Sequence, residues 1–167
     1  MKKLIFVLSL FLMQPAFAQL KIGYVDSDAI MGQLPDAQDA QKKLDQMVQE
    51  WNEDLGKLEK DWKQKYDDYE KRKLIMSDQK RALVENELYQ MEQDIEDFRQ
   101  NKFGVNGELF QQQEELMKPI QNRVFNAIKE VAEEEELDFV FDRSGDIVFL
   151  YAKEEYDLTN LVLEKLK

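Results

Sequence analysis

At 167 residues the chain is long enough for one compact domain, and it carries 35 acidic against 23 basic residues with no histidine and no cysteine. A formal net charge of −12 argues against nucleic acid as a general ligand, because neutralising phosphates requires a basic surface over most of the contact. Without His or Cys the common nucleophile and base arrangements are missing, which leaves only carboxylates, Ser, Lys and Tyr for chemistry.

Met1-Lys2-Lys3, the apolar run from Leu4 to Met13, and Ala16-Phe17-Ala18 before Gln19 form the three regions of a secretory signal peptide. Residues 1–18 are therefore expected to be cleaved and the protein exported. The run is short for a bilayer span, no later segment approaches about 20 apolar residues, and no cysteine follows the cleavage site for lipid attachment, so the processed chain is expected to be soluble. With Lys2 and Lys3 removed, 21 of the 23 basic residues remain against 35 acidic ones, a net charge of −14.

Leu20 to Asp26 alternates apolar and less apolar residues and predicts a strand, followed by a helical turn over Ser27 to Gln33. Pro35 opens a long helix, with Asp36 and Asp39 near its positive end. Its apolar residues Leu44, Met47, Trp51, Leu55, Leu58, Trp62, Tyr66 and Tyr69 recur by threes and fours in an eleven-residue repeat. A second stripe, Val84, Leu88, Met91, Ile95, Phe98, Val105 and Leu109, follows a seven-residue frame in which Lys102 takes one core slot. If the chain reverses between Met76 and Ser77, opposed residues in an antiparallel pair have numbers summing to about 153. Trp62 then faces Met91, Leu58 faces Ile95, and Trp51 faces Lys102. A Met and aromatic stripe at this spacing is packing rather than a cofactor box. The poorest packing is expected near Trp51 and Lys102, where the core slot is charged.

Gly104 and Gly107 predict a flexible or bent segment in the returning helix, and Pro119 a kink or a helix restart at which the arm ends. Ile120, Val124, Phe125, Ala127, Ile128 and Val131 then make a broader apolar face, suited to a packed body. Glu133 to Glu136 is an acidic run that reads as a solvated helix end; the ligand spacing of a dedicated calcium loop is missing. Phe139–Phe141 and Ile147–Leu150 predict two more strands joined by a turn over Asp142–Asp146, and a C-terminal helix follows, capped by Asp157 or Thr159.

The expected architecture is mainly α with a small β body. Residues 19–35 and 119–167 form a discontinuous oligomerisation body, and residues 36–118 a long antiparallel helical-hairpin, coiled-coil arm with its tip near 76–77. A body of three short strands and two helices buries little surface alone, so a homo-oligomer is expected.

The tip differs in charge from everything else. From Lys60 to Arg81 eight basic residues face five acidic ones, a net of +3, which leaves −17 on the rest of the processed chain. Lys71, Arg72, Lys73, Lys80 and Arg81 flank the turn. They are candidate contacts to anionic lipid or a membrane-bound partner, set against the plainer reading of a solvated surface.

Lys21-Ile22-Gly23-Tyr24-Val25-Asp26, Ile30, Leu34-Pro35, Pro119-Ile120-Gln121, Ala127-Ile128, Val131-Ala132, Asp138-Phe139-Val140-Phe141-Asp142 and Asp157-Leu158-Thr159 resemble the Skp/OmpH family of periplasmic chaperones. The resemblance implies a jellyfish-shaped homotrimer in which a β-rich body joins the subunits and three helical hairpins enclose a cavity for unfolded outer-membrane β-barrel proteins. Members known for this work are commonly basic, whereas this chain is acidic. The function expected is an ATP-independent holdase: no phosphate-binding glycine loop is present, and no catalytic, cofactor or metal site is expected. Two alternatives stand beside it. One is a structural or adaptor coiled-coil protein of the envelope; the other is an enzyme using Asp26, Asp142 and Asp146, although strand-end aspartates usually serve turns and caps.

Overall fold

The structure, a computed structural model, describes residues 20–145 and 149–167; the expected signal peptide lies outside them. Strand β1, Ile22–Val25, ends at Asp26, whose carboxylate accepts the Ala29 N–H at 2.8 Å and starts helix α1, Ser27–Gln33. Pro35 stands at the first position of α2, Pro35–Arg72, where its missing N–H leaves no bond unmade. At 38 residues this helix is about 57 Å long. A 3-10 turn over Lys73–Ile75 reverses the chain, and Ser77 caps α3, Asp78–Phe103, by accepting the Lys80 N–H at 3.3 Å. Helix α4, Glu108–Glu134, strand β2, Phe139–Asp142, a 3-10 turn over Glu154–Tyr156 and helix α5, Thr159–Lys165, complete the chain.

The two strands pair in parallel, from Ile22 with Phe139 to Val25 with Asp142. Parallel strands need a crossover between them. Here the crossover is the entire run of long helices, so the arm is an excursion between two neighbouring strands of the body. On its other edge β1 is met by the chain entering α5: Tyr24 bridges Asp157, and the Leu158 N–H donates to the Tyr24 carbonyl at 2.8 Å. Gly23 packs closely at this join: a Cβ there would lie 2.6 Å from a Leu158 methyl and 3.0 Å from a Leu137 methyl, so these side chains would have to shift.

The body core is a single cluster in which Val25, Ile30, Leu34, Ala37 and Ala40 meet Ile120, Val124, Ala127, Val131, Leu158 and Val162. The base of α2 and the second half of α4 are therefore core elements, while the rest of both long helices leaves the core behind. The acidic run at the end of α4 is engaged at its edge: Glu134 pairs with Lys165 at 2.5 Å and Glu136 with Lys21 at 3.0 Å.

Three expectations need correction. Helix α4 runs without interruption through Pro119, and the chain instead breaks at Gly104–Gly107. Pro119 is tolerated because both it and Glu115, whose carbonyl loses its partner, are exposed to water. Val105 is not a seam residue; it lies in the break and is 96% exposed. The described sheet has two strands rather than three. Of the expected third strand, Ile147 and Val148 lie outside the described residues, and Phe149 and Leu150 carry no strand pairing.

Candidate functional site

The antiparallel helices α2 and α3 form a seam whose buried members are Trp51, Tyr69, Val84, Leu88 and Ile95. Side chains meet across it close to the expected constant. Tyr69 Oη donates to Glu85, Lys65 pairs with Glu87, and Lys102 Nζ stands 4.8 Å from the centroid of the Trp51 ring. Arg99 reaches Glu59 diagonally at 2.5 Å. The hydrogen bond to Glu85 and burial together push the Tyr69 hydroxyl above its ordinary pKa, so it stays a donor. The Lys65 ammonium holds the Glu87 carboxyl below the usual carboxylate value.

Trp51, expected at the weakest packing, is instead among the better buried residues of the arm. Phe103, which the repeat does not include, packs edge-on against its ring at 5.9 Å, and Lys102 lies over the ring while pairing with Glu108 across the break. The seam is thinner farther out. Leu55, Leu58 and Trp62 are only half-buried, and the Trp62 indole N–H is covered without a hydrogen-bond partner. The ring of Trp62 stacks on Tyr66 at 5.1 Å beside an open groove lined by Glu59, Ile95 and Arg99.

Gly104 to Gly107 is a built turn. The Gly107 N–H donates to the Gly104 carbonyl at 2.8 Å, and Asn106 takes a positive φ of 65°. A Cβ on Gly104 would stand 2.4 Å from the Gln100 carbonyl oxygen, so only glycine fits.

At the tip, the structure brings the predicted residues Lys71, Arg72, Lys73, Lys80 and Arg81 to one end of the arm but engages three of them. Arg72 pairs with Asp68 at 3.0 Å, Lys73 with Glu70 at 2.7 Å, and Arg81 more loosely with Asp78 at 3.7 Å. Sequence reasoning missed the tip's apolar component. Leu74 and Ile75 are 90% and 85% exposed between the two basic groups; their side-by-side position in the turn was the available signal.

A second uncovered surface lies on the body. Leu150 and Tyr151 are 95% and 82% exposed beside Phe139, Phe149 and Tyr156. An open groove of about 810 Å³ runs past Leu20, Ile22, Tyr24, Phe149, Tyr151 and Tyr156.

Two of the three aspartates considered for chemistry are engaged in caps and turns. Asp26 caps α1, and Asp142 accepts from the Ser27 N–H at 3.1 Å, the Ser144 N–H at 3.0 Å and both serine hydroxyls. Desolvation pushes the Asp142 carboxyl up, but these hydrogen bonds outweigh it and hold the group below its ordinary value. Asp146 lies outside the described residues. Among the described residues no group of His, Cys, Asp and Glu could hold a metal ion, and no helix is long and apolar enough to cross a membrane.

The sequence that builds this body and its two-helix excursion is matched over residues 21–166 by the family model described as outer membrane protein (OmpH-like). The chain belongs to this OmpH-like family. The match spans both the body and the arm. Among solved structures, one from Caulobacter crescentus CB15, described as a candidate outer membrane chaperone (OmpH-like), shares the fold with a TM-score of 0.68. The two are 13% identical, over 89% of this chain and 85% of that one. No curated protein matches the sequence significantly.

Proposed function

We propose that this OmpH-like chain is an ATP-independent holdase of the periplasm that keeps unfolded outer-membrane proteins from aggregating by enclosing them between the arms of a homotrimer. The family membership over residues 21–166 is the observation that carries the reading. Physical features agree with it. An arm this long has no globular core, and its outer length serves to stand off from the body. Apolar side chains such as Phe110 and Phe125, 47% and 68% exposed on α4, offer weak, non-directional contacts to an unfolded chain. Holding a client requires shape and mobility but no bond making, and the sequence supplies no phosphate-binding glycine loop. The leader expected at residues 1–18 supports a periplasmic location.

What one chain leaves uncovered supports self-association, and the family resemblance supplies the copy number of three. A sheet of two short strands, its far β1 edge met only by the entry to α5, is marginal alone, and among the described residues the aromatic surface around Phe139, Leu150 and Tyr151 is uncovered. Strands and aromatic residues of neighbouring copies complete this body, with residues 19–35 and 119–167 as the joining part and 36–118 as the arm. The turn at Gly104–Gly107 is where an arm bends as clients differ in size. The test is light scattering: a denatured outer-membrane protein diluted into buffer stays soluble when the processed chain is in molar excess. Undiminished aggregation would end the reading.

A further inference from the structure

Asn106 is the only asparagine of the chain followed by glycine, and the only one outside a helix; the other six lie within α2 to α5, each before a residue with a side chain. It sits in the turn between α3 and α4, exposed and at a φ of 65°, a left-handed conformation that asparagine visits more readily than most residues. Its neighbour Gly107 is buried. The Gly107 N–H donates to the Gly104 carbonyl at 2.8 Å, and a Cβ on Gly107 would lie 2.9 Å from that same oxygen. The turn is tied from outside as well. Gln111 Nε2 donates to the Asn106 carbonyl at 3.0 Å, and Lys102 pairs with Glu108 across the break.

We propose that Asn106 is a site of spontaneous deamidation, held back by the closed turn and released when the turn opens. The Gly107 backbone nitrogen gives up its proton and attacks Cγ of Asn106; the N–Cγ bond forms, the Cγ–Nδ2 bond breaks, and ammonia leaves. Water then opens the cyclic imide. Breaking the bond from nitrogen to Cγ gives aspartate, whereas breaking the bond from nitrogen to the backbone carbonyl carbon gives isoaspartate, whose main chain is longer by one methylene. Water is the only other reactant. Glycine hinders this attack least, because no Cβ crowds its nitrogen. In the closed turn the proton is engaged by Gly104 and the nitrogen is shielded from base, so the reaction draws on local opening. The two products act in opposite senses. Aspartate adds an anion just before the N-terminus of α4, where the helix dipole favours it. Isoaspartate displaces the Gly107 N–H from the Gly104 carbonyl and loosens the junction of α3 and α4. The inference requires neither client nor trimer and stands apart from the holdase reading.

The processed protein is aged in mildly alkaline buffer, once folded and once in urea, and its peptides are mapped by mass spectrometry with isoaspartate read by an isoaspartyl methyltransferase. Loss of amide should concentrate at Asn106 and run roughly tenfold or more slowly in the folded chain, the ratio measuring how rarely the turn opens. Aged folded chains that carry isoaspartate should be cut faster beside Val105, which is 96% exposed, in limited proteolysis. Asn106→Asp, which has the charge without the extra methylene, should be cut like the wild type. An Asn106 amide that survives in urea as long as those of the other asparagines would overturn the proposal. So would equal rates in the folded and unfolded chains, which would mean that the turn holds nothing back, or isoaspartyl chains cut no faster than fresh ones.

Discussion

Glu136 closes α4 in a conformation that suits another residue better. Its φ is +52°, its own N–H donates to the Glu133 carbonyl at 3.3 Å, and the Leu137 N–H donates to Ala132 at 2.9 Å, the two bonds of a Schellman motif. A non-glycine residue there carries the steric cost of the left-handed region, and its ion pair to Lys21 is too exposed to offset much. Glu136→Gly should therefore raise stability by about 0.5–1 kcal/mol, read as a higher urea midpoint at unchanged slope. Asp142 works in the opposite sense. Because its folded pKa is depressed, the stability it contributes is complete above its ordinary value of 3.8 and lost as pH falls through the folded value. Asp142→Asn should cost about 1–2 kcal/mol near neutrality and flatten the acid side of a stability profile. The capping and turn role of these aspartates was legible in the sequence. The Ser27 donor was not, because Ser27 reaches Asp142 only when β1 and β2 pair, whereas Ser144, two residues after Asp142, donates within the local turn.

At the scale of elements, the arm's reversal was readable because two apolar stripes of helical period can bury each other only when opposed, which fixes the register to within a residue or two. The Lys102–Trp51 contact falls on that register. Gly104 and Gly107 marked a bent segment, but the repeat did not show that the helix ends there. A seven-residue frame drawn through residues 84–109 assumes an unbroken helix, so it placed Val105 on the seam and passed over Phe103. The decisive fact is a contact, the closeness of Gly104 to the Gln100 carbonyl. Gly104→Ala should force that turn open and lower stability by about 1–3 kcal/mol, with the loss registered in a thermal melt. Cysteines introduced at 58 and 95 should cross-link under oxidation, and a failure to do so would mean a different register. Ile95→Ala should cost roughly 1–3 kcal/mol, less than a deep-core change because a two-helix seam stays partly wet; hydrogen exchange should locate the loss in the arm and leave β1 and β2 protected.

For the whole molecule, the division of labour lies in where apolar surface is left uncovered. The body core is closed around Ile30 and Val162, both fully buried, yet its aromatic face is open, and the arm's exposed apolar residues are single or paired. Composition and the leader pointed to an exported acidic protein, and the spacing of the stripes to a long hairpin. Parallel pairing of β1 with β2 was not legible, because no local pattern states which strands meet across more than a hundred residues. Nor does one chain alone state its copy number. Sedimentation of the processed protein, alone and with an unfolded outer-membrane protein, tests the account most directly. It predicts a species of three times the mass of one processed chain, which gains the mass of the client when the client is added. A species with the mass of one chain, or a trimer that sediments unchanged beside an aggregating client, would contradict it.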